Sequence, residues 1–201
     1  MNEHVTRPRR TPTQAAEGLP RWRWTLEEFE RLVELGILTE DDRVELIGGE
    51  LIPMAAKAAR HENLKAGLEN WIYRRLPSEL RLVVELGWRP DNETYCEPDL
   101  LIFPLRFRQV TKVPACEVHL LVEVADTSLK YDTGTKVPMY ARLGVREAWV
   151  VNPVTLNTRV HRQPLANGYA SIIEIRPDET LTPLLVPSIA VRLRDLGIDV
   201  D

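Results

Sequence analysis

Between Arg81 and Pro153 the chain carries four short apolar segments, RLVVELGW, EPDLLIFP, EVHLLVEVA and EAWVVNP. Segments this short and this apolar suit strands covered on both faces, the inner strands of a sheet with layers above and below it. Between the third and fourth lies YDTGTKVPMYARLGV, in which Val137, Tyr140, Ala141 and Leu143 fall at helical spacing and Gly144 is the stop. Pro138 is tolerable only in the first turn, which puts the helix start near Val137. A helix joining two apolar strands is a crossover, so those two strands are expected to be parallel or mixed neighbours.

The rest of the chain reads as additions to this α/β core. WTLEEFERLVELG begins with a capping box, Thr25 and Glu28, and places Leu26, Phe29, Leu32, Val33 and Leu35 on one helical face before Gly36. RVELIGGELIPM is two apolar runs around Gly48-Gly49, a hairpin signal. A second helix is expected from Ala55 to Leu76, with Leu64, Leu68, Trp71, Ile72 and Leu76 at helical spacing and Pro77 closing it. TRVHRQ and ASIIEIR alternate around Ala166-Asn167-Gly168 as a C-terminal hairpin, and one last helical turn is expected near the end. With 201 residues and 44% apolar content, one core is affordable. Residues 1–20, rich in Pro, Thr and Arg, are expected to be a disordered tail, and 21–201 one domain.

Several classes are disfavoured. No apolar run reaches the roughly 20 residues of a membrane span, and MNEHVTRPRR lacks a signal peptide's apolar stretch. Cys96 and Cys116 have neither zinc-knuckle nor CxxC spacing, so a cytoplasmic setting is expected. There is no P-loop, no dinucleotide fingerprint and no Gly-x-Ser-x-Gly elbow. The net charge of -4 weakly opposes a polyanionic partner, although carboxylates gathered for a cation contribute to that charge.

Chemistry enters through two interruptions. Asp99 follows Pro98 at the start of DLLIF, and Glu123 breaks the apolar run of LLVEVA. A carboxylate inside a buried run is costly unless it is paired, protonated or bound to metal. Two such acids in neighbouring strands would form the oxygen-rich site that Mg²⁺ or Mn²⁺ prefers. A cation there can polarise a phosphodiester and lower the pKa of attacking water. Lys136, entering the helix after the Glu123 strand, is the candidate to orient that water and offset developing charge. Each residue taken alone also fits a solvated or salt-bridged surface position.

The ordered series RVELIGGELIPM, His61, EPDLLIF, LLVEVADTS and YDTGTKVPMYARLGVREAWVVNP closely resembles the Uma-two family of restriction endonucleases, a branch of the PD-(D/E)XK nuclease superfamily. The likeness runs from about Trp24 to Pro153. It implies a restriction-endonuclease-like core of αβββαβ order with a mixed central sheet, flanked by the N-terminal helix and hairpin and the C-terminal hairpin. Pro98-Asp99 matches the PD of the motif and Glu123 its second acid. The position two after Glu123 is Ala125 rather than lysine, and Lys136 in DTGTK stands in the matching place on the following helix.

Glu45, in the opening hairpin motif, is either a further carboxylate of the site or a polar residue on a solvent face. His61 is a proton carrier, a phosphate contact near the start of its helix, or a simple polar contact there, the last being favoured. Ser128 and Asp132 could orient substrate or cap the helix, capping being favoured for Asp132. Tyr140 and Trp149 read as core. The expected function is divalent-metal-dependent hydrolysis of DNA phosphodiester bonds. The alternatives are an idle nucleic-acid or protein-binding module that kept the fold, or a small-molecule hydrolase using the same site. Cutting both strands of a duplex needs two sites, so a homodimer is expected.

Overall fold

The structure is a computed structural model that describes residues 22–125 and 132–198. The tail expected over 1–20 lies outside the described residues, as do Ser128 and the side chain of Asp132.

The elements run α1 (Leu26–Glu34), β1 (Val44–Ile47), β2 (Glu50–Pro53), α2 (Ala59–Tyr73), β3 (Leu80–Val84), β4 (Trp88–Asp91), β5 (Thr94–Cys96), β6 (Leu100–Pro104), β7 (Leu120–Val124), α3 (Val137–Leu143), β8 (Glu147–Val151), β9 (Thr158–Leu165) and β10 (Gly168–Ile175). Six strands form one mixed sheet in the order β10-β9-β8-β7-β6-β3. β7 and β8 are its parallel pair, joined across α3 as the crossover pattern requires. A π-helical turn, Asp132–Lys136, leads into α3, Pro138 occupies its first turn, and Gly144 ends it at φ 92. The short 3-10 turn Leu193–Leu196 is the last helical element among the described residues.

Side-chain alternation on β6 and β7 divides the interior into two layers. Leu100, Ile102, Leu120, Val122 and Val124 pack under Leu64, Leu68 and Ile72 of α2. Leu101, Phe103 and Leu121 face the opposite way, toward Trp88 and Tyr140. Every residue of β6, β7 and β8 is buried, Glu123 and Glu147 among them, as the largely apolar character of the three strands demands.

A second sheet, β2-β1-β5-β4, was only half legible. Gly48 and Gly49, both at positive φ, close the β1-β2 hairpin as expected. The segment RLVVELGW is not one strand: it breaks at Glu85, which sits at φ 50, and Trp88 begins β4, which pairs with β5. α1 caps as expected, with the Thr25 hydroxyl accepting from the Glu28 N–H at 3.2 Å. Its apolar face is buried only at Phe29, which packs on Tyr95 of β5, while Val33 and Leu35 stay exposed. α2 begins at Ala59 and ends at Tyr73, leaving Leu76 beyond it.

Candidate active site

Asp99 immediately precedes β6, and Glu123 lies on β7. Leu100 pairs with Val122 in the antiparallel register, so one step further Asp99 stands opposite Glu123. Both carboxylates are buried, yet each is met by a different helix.

On the α3 side, the Tyr140 hydroxyl donates to Glu123 Oε1 at 2.6 Å and Lys136 Nζ approaches the same oxygen at 3.4 Å. Lys136 also pairs with Glu45 Oε1 at 2.9 Å, and Glu45 Oε1 accepts the backbone N–H of Glu97 at 2.9 Å. Lys136 thus bridges a glutamate of the hairpin and a glutamate of the central sheet. Glu45 is only 1% exposed, which removes the solvent-face reading for it. Lys136 and Tyr140 are four residues apart, so both project from one side of the turn into which the chain winds. Burial, followed by the Glu123 charge, pushes the Tyr140 hydroxyl well above its ordinary pKa, so it remains a donor.

On the α2 side, Asp99 Oδ2 accepts the Val124 N–H at 2.7 Å and meets His61 Nε2 at 3.1 Å, while Oδ1 lies 3.3 Å from Lys57 Nζ. Burial alone would raise the Asp99 pKa; the His61 hydrogen bond and charge outweigh it, and the group is held below its ordinary value. The other ring nitrogen of His61 contacts Glu62 at 3.1 Å. Lys57 and Lys65 both bind Glu85, and Lys65 binds Glu62 at 2.6 Å. Burial opposes the charge on Lys65, but the bonds to Glu62 and Glu85 prevail and raise its pKa. Burial likewise opposes ionisation of Glu85, and the two lysines reverse this and lower its pKa.

A cleft of about 1150 Å³ opens between α1, the small sheet and the first turn of α2. Lys57, Glu62, Glu85 and Glu97 are among the residues that line it. Among the described residues no group of three His, Cys, Asp or Glu side chains is arranged to hold a metal ion, so any ion here would be held by two acids with water completing its shell. The donors that Asp99 and Glu123 offer are all oxygen, and each acid already has an ammonium beside it. A hard divalent cation fits that donor chemistry, while the two ammonium groups already balance the charge of the acids.

Residues 26–194 match the Uma2 family, described as "Putative restriction endonuclease". The chain belongs to this family. A crystal structure of a putative nuclease belonging to DUF820 from Anabaena variabilis ATCC 29413 has the same fold, with a TM-score of 0.64 at 16% sequence identity, covering 86% of this chain and 96% of that one. No curated protein matches the chain.

Within this Uma2 chain, Glu45, Glu123 and Lys136 meet as one cluster and Asp99 lies across the strand register from it. His61, read from sequence as a helix-start contact or a proton carrier, touches Asp99 itself. Trp149 is core, its indole N–H donating to Glu147 at 2.8 Å. Tyr140 is buried as expected, but its hydroxyl belongs to the site. Lys57, Glu62, Lys65 and Glu85 escaped the sequence reading altogether. Lys65 had a signal, since it stands four residues after His61 and shares its helix face.

Proposed function

We propose that this protein is an endonuclease that hydrolyses DNA phosphodiester bonds with the help of Mg²⁺ or Mn²⁺. The observation that supports it best is the pair of buried acids, Asp99 and Glu123, at neighbouring positions of the register between two central strands. These two would hold the cation. When bound, it supplies Lewis-acid polarisation of the phosphate and a more acidic water.

The protein's own residues account for the rest. Tyr140 and Lys136 hold Glu123 from the α3 side, and His61 with the Val124 N–H holds Asp99, so neither acid has to be ordered when substrate arrives. Lys136, fixed by Glu45, places a positive charge beside Glu123, where negative charge would grow on the phosphate oxygens. Glu45 is therefore a positioning residue. Because one chain carries one such site, cutting both strands of a duplex would call for a symmetric dimer.

A second reading has its own support. Both acids are already matched by lysines, which is also what an idle binding module would keep. The two readings part in one assay: supercoiled plasmid and single-stranded DNA incubated with Mg²⁺, with Mn²⁺ or with chelator. Metal-dependent nicking or linearisation supports the nuclease. DNA left intact with either ion, on purified folded protein, favours the idle module.

A further inference from the structure

The two lysines that touch the acids differ in access. The Lys136 side chain is 8% exposed and lies among Glu45, Glu123 and Tyr140, and it is not one of the residues lining the 1150 Å³ cleft. Lys57 is 19% exposed at its side chain, lines that cleft, and at the same time reaches Asp99 Oδ1 at 3.3 Å. It is the cation that stands between open space and the buried acid.

Its present partners do not depend on it alone. Glu85 keeps Lys65, which is more deeply buried than Lys57. Asp99 keeps His61 and the Val124 N–H. Lys57 can therefore turn toward an incoming anion without leaving a buried carboxylate unpartnered, the event that makes breaking a buried ion pair expensive. The four-carbon stem of lysine and its three rotatable donors suit such an exchange.

The remaining acids of the cleft are largely committed. Glu30 binds Arg89 at 2.7 Å, Glu62 binds Lys65, and Glu97 accepts the Tyr95 hydroxyl at 2.6 Å. Arg43 adds an exposed guanidinium on the cleft wall. A phosphate entering here would meet Arg43 on the wall and Lys57 beside the buried acid.

We infer that Lys57 is a substrate-contacting residue, which receives a backbone phosphate of a nucleic-acid strand entering through the cleft between α1 and α2. The inference rests on the reading of this site as one for nucleic acid. Lys136 then serves the reacting phosphate and Lys57 a phosphate on the entry side.

The test is the ionic-strength dependence of Lys57→Gln and Lys57→Arg against wild type, with Mn²⁺ present. If wild type cuts a labelled oligonucleotide, kcat/KM is read over a salt series; if it does not, affinity is read by fluorescence anisotropy over the same series. One lost phosphate contact flattens the log-log slope by about 0.7 for a single strand or about 0.9 for a duplex. Lys57→Gln is expected to show that flattening, with the effect carried by KM or Kd, and Lys57→Arg to restore the wild-type slope. A purely structural lysine would change the melting temperature and leave the slope alone. An unchanged slope in Lys57→Gln overturns the inference, and cutting by wild type in that case leaves the nuclease reading intact. A Lys57-dependent slope without cutting supports the inference and overturns the nuclease. Wild type that neither binds nor cuts overturns both.

Discussion

Replacing Tyr140 by Phe deletes one oxygen from the site and almost nothing else. The ring fills the same volume beside Trp88, so no cavity opens. What is lost is a 2.6 Å hydrogen bond from a buried hydroxyl to a buried carboxylate. Hydrogen bonds to charged groups contribute roughly 1.5–3 kcal/mol, and loss of the donor leaves Glu123 with the more distant Lys136 ammonium on that oxygen. For a chain of this size about 1 kcal/mol corresponds to roughly 2–4 °C, so the melting temperature should fall by roughly 3–12 °C. Urea unfolding of wild type, Tyr140→Phe, Glu123→Gln and the double variant measures the coupling directly. A coupling of about 1 kcal/mol or more is expected between the two positions. Loss of stability below about 0.5 kcal/mol, with no coupling, would mean that Tyr140 is a core residue only and that Glu123 is held by something else.

Two further outcomes concern Lys136 and His161. Lys136→Ala should leave Mn²⁺ affinity near that of wild type and lower the cleavage rate by about 10²–10³, the cost of one preorganised donor to developing charge, as single-turnover kinetics would report; undiminished cleavage would remove Lys136 from the chemistry. His161 is buried in β9 with neither ring nitrogen bonded, and burial, then the charge of Arg159, lowers its pKa from 6.5 to about 4. Between those values the unfolded chain binds the extra proton, so stability should fall as pH drops from 6.5 toward about 4, by about 3 kcal/mol in all. Urea unfolding across that range should show the loss in wild type and not in His161→Leu, and equal slopes in both proteins would contradict it.

How much of this was legible depended on whether the signal was local. The Thr25-Glu28 capping box, the Gly48-Gly49 turn and the Pro138 and Gly144 limits of α3 are written in adjacent residues, and each appears where the sequence puts it. Asp99 and Glu123 were legible because a charge inside an apolar strand contradicts its surroundings. β4 and β5 were not, because strands of three or four residues, one of them containing Pro90 and Asp91, carry no usable alternation. Glu85 was hidden for a different reason: it is presented by a single residue at φ 50 between two strands, and its lysines come from a loop and a helix far away in the chain. The Tyr140 hydroxyl was masked by the correctness of the burial reading, since spacing predicts where a ring goes and says nothing of what its oxygen meets.

The central claim is that Asp99 and Glu123 together bind one divalent cation, and calorimetric titration with Mn²⁺ tests it most directly. A lysine stands beside each acid, so removing either acid takes one partner from an ammonium, Lys57 keeping Glu85 and Lys136 keeping Glu45, and the folded state of each variant is checked first by circular dichroism. Wild type should bind Mn²⁺ at one site, and Asp99→Asn and Glu123→Gln should each abolish or severely weaken that binding while remaining folded. Unchanged Mn²⁺ affinity in both folded variants, or no binding by wild type, would contradict it.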